Sequence, residues 1–99
     1  MFKLELNQNN INSMKNIMQL YQDINNALSQ NKKVQLSFEK LNFTPSIALN
    51  LVLNNLYDLY SIKMLKEKIE LTEASFETHE AFHEILNSLD SHIKSYNEL

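Results

Sequence analysis

The chain has 99 residues, of which 43% are hydrophobic and 21% are charged, and this composition is typical of one globular domain with a single core. It contains no cysteine and no glycine, which excludes disulfides, cysteine-zinc sites and the phosphate-binding and nucleophile-elbow motifs that depend on glycine. Its basic residues are all lysines and its formal net charge is −3, which argues against binding to nucleic acid or to an anionic membrane.

The first part of the chain predicts a strand, a helix and a second strand. Phe2, Leu4 and Leu6 alternate with polar residues, as in a strand with one buried face. Ser13 is a suitable N-cap for a helix whose apolar residues recur at 3-4 spacing. The expected core-facing stripe of this helix consists of Met14, Ile17, Tyr21, Ile24 and Leu28. Val34, Leu36 and Phe38 alternate again and predict a second strand.

Thr44 and Pro45 predict the start of a second long helix, because threonine is a good N-cap and proline fits the first helical position. We expect this helix to run to about Tyr60 and to be covered on more than one side, since apolar residues occupy over half its circumference. Those apolar residues are Ala48, Leu49, Leu51, Val52, Leu53, Leu56, Leu59 and Tyr60. The remaining polar stripe consists of Ser46, Asn50, Asn54 and Asp58.

The last part of the chain predicts a short helical or irregular link over residues 61–68, a third strand and a final helix. Ile69 and Leu71 fit the strand, and Ser75 is expected to cap a helix that runs to roughly Tyr96. One face of that helix carries Phe82, Leu86, Leu89, Ile93 and Tyr96. Strands that alternate with helices predict a single α/β domain over residues 1–99, with three to four short strands, parallel pairs and three main helices.

Residues 34–46 read VQLSFEKLNFTPS, which is a hydrophobic strand, a short turn, a phenylalanine and then a serine at a helix start. A lysine-rich link follows this helix, then a strand in LKEKIEL at residues 65–71, and then a helix from Ala74 and Ser75. Over roughly residues 33–89 this order resembles the STAS fold of anti-sigma-factor antagonists, and more closely the STAS-like domain family of unknown function. The resemblance implies a small domain that acts by binding a partner protein.

In antagonists of the STAS type, a partner kinase phosphorylates a serine at this helix start and thereby switches partner binding. Ser46 occupies the nearest position, although the Asp-Ser-Ser-Gly run of those proteins is replaced here by Thr44-Pro45-Ser46-Ile47. The resemblance therefore implies that Ser46 is a switch. The alternative is a first-turn helix residue whose hydroxyl bonds to the backbone.

Residues 79–83 read HEAFH and match the H-E-x-x-H motif of zinc proteases, in which His79 and His83 would bind the metal and Glu80 would activate water. Catalytic zinc needs a third protein ligand, and His92 follows without the intervening glycine of the metzincin pattern. Both histidines fall on the flank of the apolar face, which favours a solvated helix flank. We predict no catalytic metal and no cofactor, with adventitious surface zinc binding and a zinc hydrolase as the weaker alternatives.

Three further groups of residues allow two interpretations each. Glu77, Glu80 and Glu84 form an acidic ridge, which is either a solvated face or a docking site for a basic partner. The apolar stripe that ends at Ile93 and Tyr96 is either core or an interface, and so is the pair formed by Tyr57 and Tyr60.

The sequence as a whole predicts a non-enzymatic, cytoplasmic protein-interaction module that regulates a partner protein by binding. No stretch reaches the roughly 18 apolar residues of a membrane helix, and the amino terminus lacks the apolar run of a signal peptide. The predicted partner surface comprises Ser46, Asn50, Asn54, Tyr57, Glu77, Glu80, Glu84, Leu89 and Ile93. The other expected partner is a second copy of the chain, in a homodimer through the apolar stripe of the C-terminal helix that includes Leu89, Ile93 and Tyr96. The alternative function is a small phage or mobile-element inhibitor of a host enzyme or defence complex, for example an anti-CRISPR.

Overall fold

A computed structural model describes the backbone of residues 1–97 and the side chains of residues 1–91. Over this part the chain forms an α/β fold with three parallel strands in one sheet, as predicted. The elements in chain order are β1 (Phe2–Glu5), α1 (Met14–Ser29), β2 (Val34–Ser37), α2 (Ser46–Tyr57), α3 (Ile62–Lys68), β3 (Ile69–Thr72) and α4 (Phe76–Asn97). A 3-10 turn at Gln8–Asn10 follows β1, and Ser61 caps α3 by accepting a hydrogen bond from the Met64 amide at 3.1 Å.

The sheet has the strand order β1-β2-β3 and one apolar face. Its register aligns Phe2, Val34 and Ile69 in one row, and Leu4, Leu36 and Leu71 in another. Successive residues of a strand point to opposite faces, so these rows share a face and the polar residues between them lie on the other. The apolar rows belong to one hydrophobic core with the helices. The core therefore lies between one face of the sheet and the helices.

Helix α2 is the central helix, since it packs against α1, α3 and α4. Its buried residues are Ala48, Leu49, Val52, Leu53 and Leu56. The expected cover on more than one side is confirmed, because neighbouring helices of the same chain bury most of the wide apolar arc. Leu59, beyond the end of α2, is the member of the predicted arc that is exposed, at 57%, and Ile47, which lies outside that arc, is 75% exposed.

The predicted stripe of α1 is rotated in the structure. Ser13 caps the helix as expected, accepting a hydrogen bond from the Asn16 amide at 3.2 Å. Met14, however, is 59% exposed and Tyr21 is only half-buried, whereas Leu20 and Ala27 are buried. The buried positions centre on Ile24, so Met14 and Tyr21 fall at the edge of the face that meets the core.

Helix α2 starts at Ser46, which agrees with the prediction of a serine at the helix start, but its cap and its C-terminal end differ from the prediction. Thr44 does not cap the helix, because its Oγ1 lies 3.2 Å from Thr78 Oγ1, and α2 begins at Ser46 after Pro45. The helix ends at Tyr57 instead of continuing to Tyr60. The amides of Leu59 and Tyr60 both donate to the Leu56 carbonyl, which closes the last turn, and the Tyr60 hydroxyl donates to Asn25 Oδ1 at 2.5 Å.

Candidate functional site

The exposed stripe of α2 begins at Ser46. Asn50 and Asn54 are also exposed and lie one and two turns further along the same stripe, as predicted. The Asn50 side-chain amide donates to the Ser46 carbonyl at 3.1 Å, and that of Asn54 donates to the Asn50 carbonyl at 2.7 Å. Because the amide nitrogens are used within the helix, the amide oxygens of both side chains stay available as hydrogen-bond acceptors.

Helix α4 brings the acidic ridge to the start of α2. Glu77, Glu80 and Glu84 are exposed along the first part of α4. They line one shallow cleft of about 250 Å³ together with Thr44, Ser46 and Ala81. The structure therefore places Ser46 and the acidic ridge at one site, although Ser46 and Glu77 are 31 positions apart in the sequence.

An apolar cleft lies on the other side of Ser46. It has a volume of about 500 Å³ and also borders Thr44 and Ser46. Its other lining residues are Gln8, Asn9, Ile11, Asn12, Phe43, Pro45, Ile47 and Ala48. Phe43 is 47% exposed, and Ile47 is the more exposed of the two large apolar side chains. We call this cleft and the acidic cleft together the Ser46 surface.

Sequence reasoning missed Phe43 and Ile47 as candidate binding residues. The signal for Ile47 was present, because it immediately follows Ser46 and falls beside Asn50 and Asn54 on the polar stripe of the helix. Phe43 lies in the loop between β2 and α2, where periodicity gives no information about burial. An isolated apolar residue on a surface is normal, whereas two that line one cleft indicate a binding surface.

Three hydroxyl groups hold the two halves of the Ser46 surface together. Thr78 is only 2% exposed, and its Oγ1 lies 3.2 Å from Thr44 Oγ1 and 3.0 Å from Ser75 Oγ. Ser75 caps α4 as predicted, because its Oγ accepts a hydrogen bond from the Thr78 amide at 3.1 Å. The loop before α2 is thus tied directly to the first turn of α4, which sets the distance between Ser46 and Glu77.

The H-E-x-x-H residues lie on the flank of α4. His79 is half-buried, Glu80 and His83 are exposed, and the His83 ring meets the Phe82 ring edge-on at a centroid distance of 5.6 Å. Within the part of the chain whose side chains are described, no three His, Asp or Glu residues group as ligands for a metal ion. The side chain of His92 lies outside the described residues.

The remaining predicted interface residues are less clearly placed on a surface. Tyr57 and Leu89 are both half-buried, and the side chain of Ile93 lies outside the described residues. The Tyr60 side chain makes an intramolecular contact with α1 through Asn25, which favours the core interpretation for this residue. No helix in the described part of the chain is both long and apolar enough to cross a membrane.

Function has to be inferred from these surfaces, because comparison with protein-family models, curated proteins and solved structures gives no match. The resemblance to the STAS-like family accordingly stays a prediction. The Ser46 surface brings together four of the nine predicted site residues, namely Ser46, Glu77, Glu80 and Glu84. It combines exposed apolar side chains, an exposed hydroxyl and carboxylates, which are groups suited to contacting another molecule.

Proposed function

We propose that this chain is a non-enzymatic STAS-like interaction module, which regulates a partner protein by binding it through the Ser46 surface. The observation that carries the proposal is the position of Ser46 between an apolar cleft and an acidic cleft at the start of α2. Binding surfaces commonly combine an apolar centre with a polar rim, and this surface has both parts.

The start of α2 also suits a regulatory modification. Ser46 is exposed in the first turn of a helix of 12 residues, and none of the described side chains caps that helix. The Ser46 amide donates to the Thr44 carbonyl at 2.9 Å, so the amides of Ile47 and Ala48 are the ones that an anion could contact, and the helix dipole favours negative charge there. A phosphate on Ser46 would add about −1.5 to −2 charge at this point, at the centre of the surface.

A quantitative pull-down from the native host tests this function. The wild-type chain is compared with Ser46→Asp, and Ser61→Asp serves as the control, because Ser61 is exposed at the cap of α3 beyond the other end of α2 and aspartate is also a good N-cap. We expect wild type and Ser61→Asp to enrich the same protein, and Ser46→Asp to change the amount recovered. Equal recovery with all three baits would contradict the switch, and the absence of any specifically enriched protein would contradict the proposed function.

A further inference from the structure

We propose that the Ser46 surface binds a basic amphipathic helix of the partner. An apolar side chain of that helix would occupy the cleft beside Ile47, and its lysine or arginine residues would contact Glu77, Glu80 and Glu84. This inference rests on the proposed function and adds to it the chemistry of the partner and the direction of regulation.

The apolar part of the surface sets the position of the partner. Ile47 and Phe43 are exposed on the border of the 500 Å³ cleft, while Pro45 and Ala48 are buried beneath it. Burial of such side chains against a partner is favourable because it removes apolar surface from water. A cleft of this volume accommodates one or two large side chains, which is how an amphipathic helix anchors itself in a groove.

The charge of the surface identifies the partner as basic. Residues 41–62 and 69–93, which supply α2 and most of α4, contain no lysine or arginine. Among the described side chains, Glu77, Glu80 and Glu84 have no ion-pair partner, whereas Glu5 pairs with Lys40 at 3.5 Å. The carboxylates and the amide oxygens of the asparagine stripe therefore offer acceptors to a donor-rich partner.

The spacing of the carboxylates fits a helical partner. Glu77, Glu80 and Glu84 are three and four residues apart, so they follow one face of α4 over about 10 Å. A helix that lies along α4 with basic residues at the same spacing would pair with all three. The residues on the apolar face of that partner helix would then contact the cleft beside Ile47.

The same charges determine the direction of the switch. Ser46 lines the acidic cleft, so negative charge added at Ser46 increases the attraction for a basic segment. Phosphorylation is thus expected to tighten binding. A partner with an acidic docking segment would show the opposite response.

The first experiment compares three synthetic, fluorescein-labelled helical peptides by fluorescence anisotropy. The first carries leucine on one face and lysine on the other, the second has glutamate in place of lysine, and the third has serine in place of leucine. We expect the leucine–lysine peptide to bind at least about tenfold more tightly than either of the others. Equal binding of the lysine and glutamate peptides, or no binding of the first, would overturn the inference.

Charge-reversal variants locate the binding site. Glu80→Lys combined with Glu84→Lys is expected to weaken binding of the leucine–lysine peptide about tenfold. The matched control, Glu67→Lys combined with Glu70→Lys, reverses two exposed carboxylates on α3 and β3 and is expected to leave binding within about twofold. An equal loss with both pairs would show that net charge alone matters, which would overturn the inference.

Two single variants test the cleft and the switch. Ile47→Ser is expected to weaken binding about fivefold, while the control Leu59→Ser, at an exposed position beyond the other end of α2, changes little. Ser46→Asp is expected to tighten binding about threefold. Amide chemical shifts in a ¹⁵N-labelled chain should change mainly at residues 8–12, 43–54 and 77–84, and changes confined to other residues would contradict the site.

The outcomes separate this inference from the function on which it rests. A specific host partner whose recovery is unaffected by Glu80→Lys and Glu84→Lys would leave the proposed function standing and overturn only the basic-helix inference. Self-association of the wild-type chain that these two substitutions abolish would assign the surface to a second copy and would also overturn it. Failure to recover any host partner would count against the proposed function itself.

Discussion

Thr78 is the residue on which the geometry of the Ser46 surface depends most directly. Its buried hydroxyl interacts with Thr44 and Ser75. Thr78→Val keeps the volume but leaves the Thr44 hydroxyl without its partner, so we expect a loss of about 1–2 kcal/mol in the free energy of unfolding by urea. Ser88→Ala, at an exposed position of the same helix, should change it by less than about 0.5 kcal/mol.

Glu73 occupies a backbone conformation that its residue type disfavours. Its φ of 51° lies in the left-handed region, between the end of β3 and the cap of α4. Glycine has no Cβ to clash there, so replacing Glu73 by glycine removes backbone strain of about 1–2 kcal/mol. This gain exceeds the entropic cost of glycine, which is about 0.5–1 kcal/mol. Glu73→Gly should therefore raise the free energy of unfolding by up to about 1 kcal/mol in urea titrations.

Two variants control the Glu73 experiment. Glu73→Ala removes the carboxylate and keeps the Cβ, so an equal gain with this variant would attribute the effect to charge instead of backbone conformation. Asn31 also has a positive φ, of 59°, at the end of α1. Because asparagine tolerates this region better than glutamate, Asn31→Gly is expected to gain less than Glu73→Gly.

The histidines of α4 give a prediction about metal. We expect protein purified without an affinity tag to contain less than stoichiometric zinc, because His83 is exposed and the described residues provide no third ligand beside it. Elemental analysis of the purified protein measures this directly. One zinc per chain, lost in His83→Ala together with a hydrolytic activity, would contradict both the prediction and the non-enzymatic function.

At the level of elements, α2 separates core residues from surface residues along one helix. Leu56 is fully buried, so Leu56→Ala is expected to lower the free energy of unfolding by about 2–5 kcal/mol. Ile47→Ala, at the exposed position beside the cleft, should lower it by less than about 0.5 kcal/mol. Urea titrations of both variants check this difference, and a comparable loss at Ile47 would mean that this side chain is packed in the core.

The distal part of α4 tests the prediction of a homodimer. Leu89 is half-buried, and Leu89→Glu would place a charge at the edge of the core or in an interface. If α4 forms a homodimer, light scattering at micromolar concentration should show a dimer for wild type and a folded monomer for Leu89→Glu and Ile93→Glu. A wild-type monomer whose two variants unfold would place both residues in the core.

The sequence predicted the elements better than their orientation. Alternation identified all three strands, because one face of the sheet is apolar and the other is polar. Ser13 and Ser75 predicted their helix starts correctly because an N-cap acts within one turn. The prediction that Thr44 caps α2 was wrong because its hydroxyl contacts Thr78 instead. Thr78 is 34 positions away in the sequence, and no local pattern reveals such a contact. The rotation of the α1 stripe likewise depends on tertiary packing.

At the scale of the whole molecule, the Ser46 surface results from the parallel sheet. The segments after β2 and β3 leave the same edge of the sheet, because parallel strands end on one side. This brings the loop before α2 against the start of α4, and Ser46 close to Glu77. The sequence identified Ser46 and the acidic ridge separately, but their proximity and the apolar cleft between α2 and the Gln8–Asn10 turn required the three-dimensional structure.

The strand order has a consequence for the way this protein is made. Each strand pairs with the one synthesised just before it, so a chain emerging from the ribosome adds every new strand to an edge that is already formed. Helix α4 is added last, and it alone carries the carboxylates of the acidic cleft. A nascent or truncated chain that ends after β3 therefore lacks half of the Ser46 surface, and we expect it not to bind the basic partner proposed above.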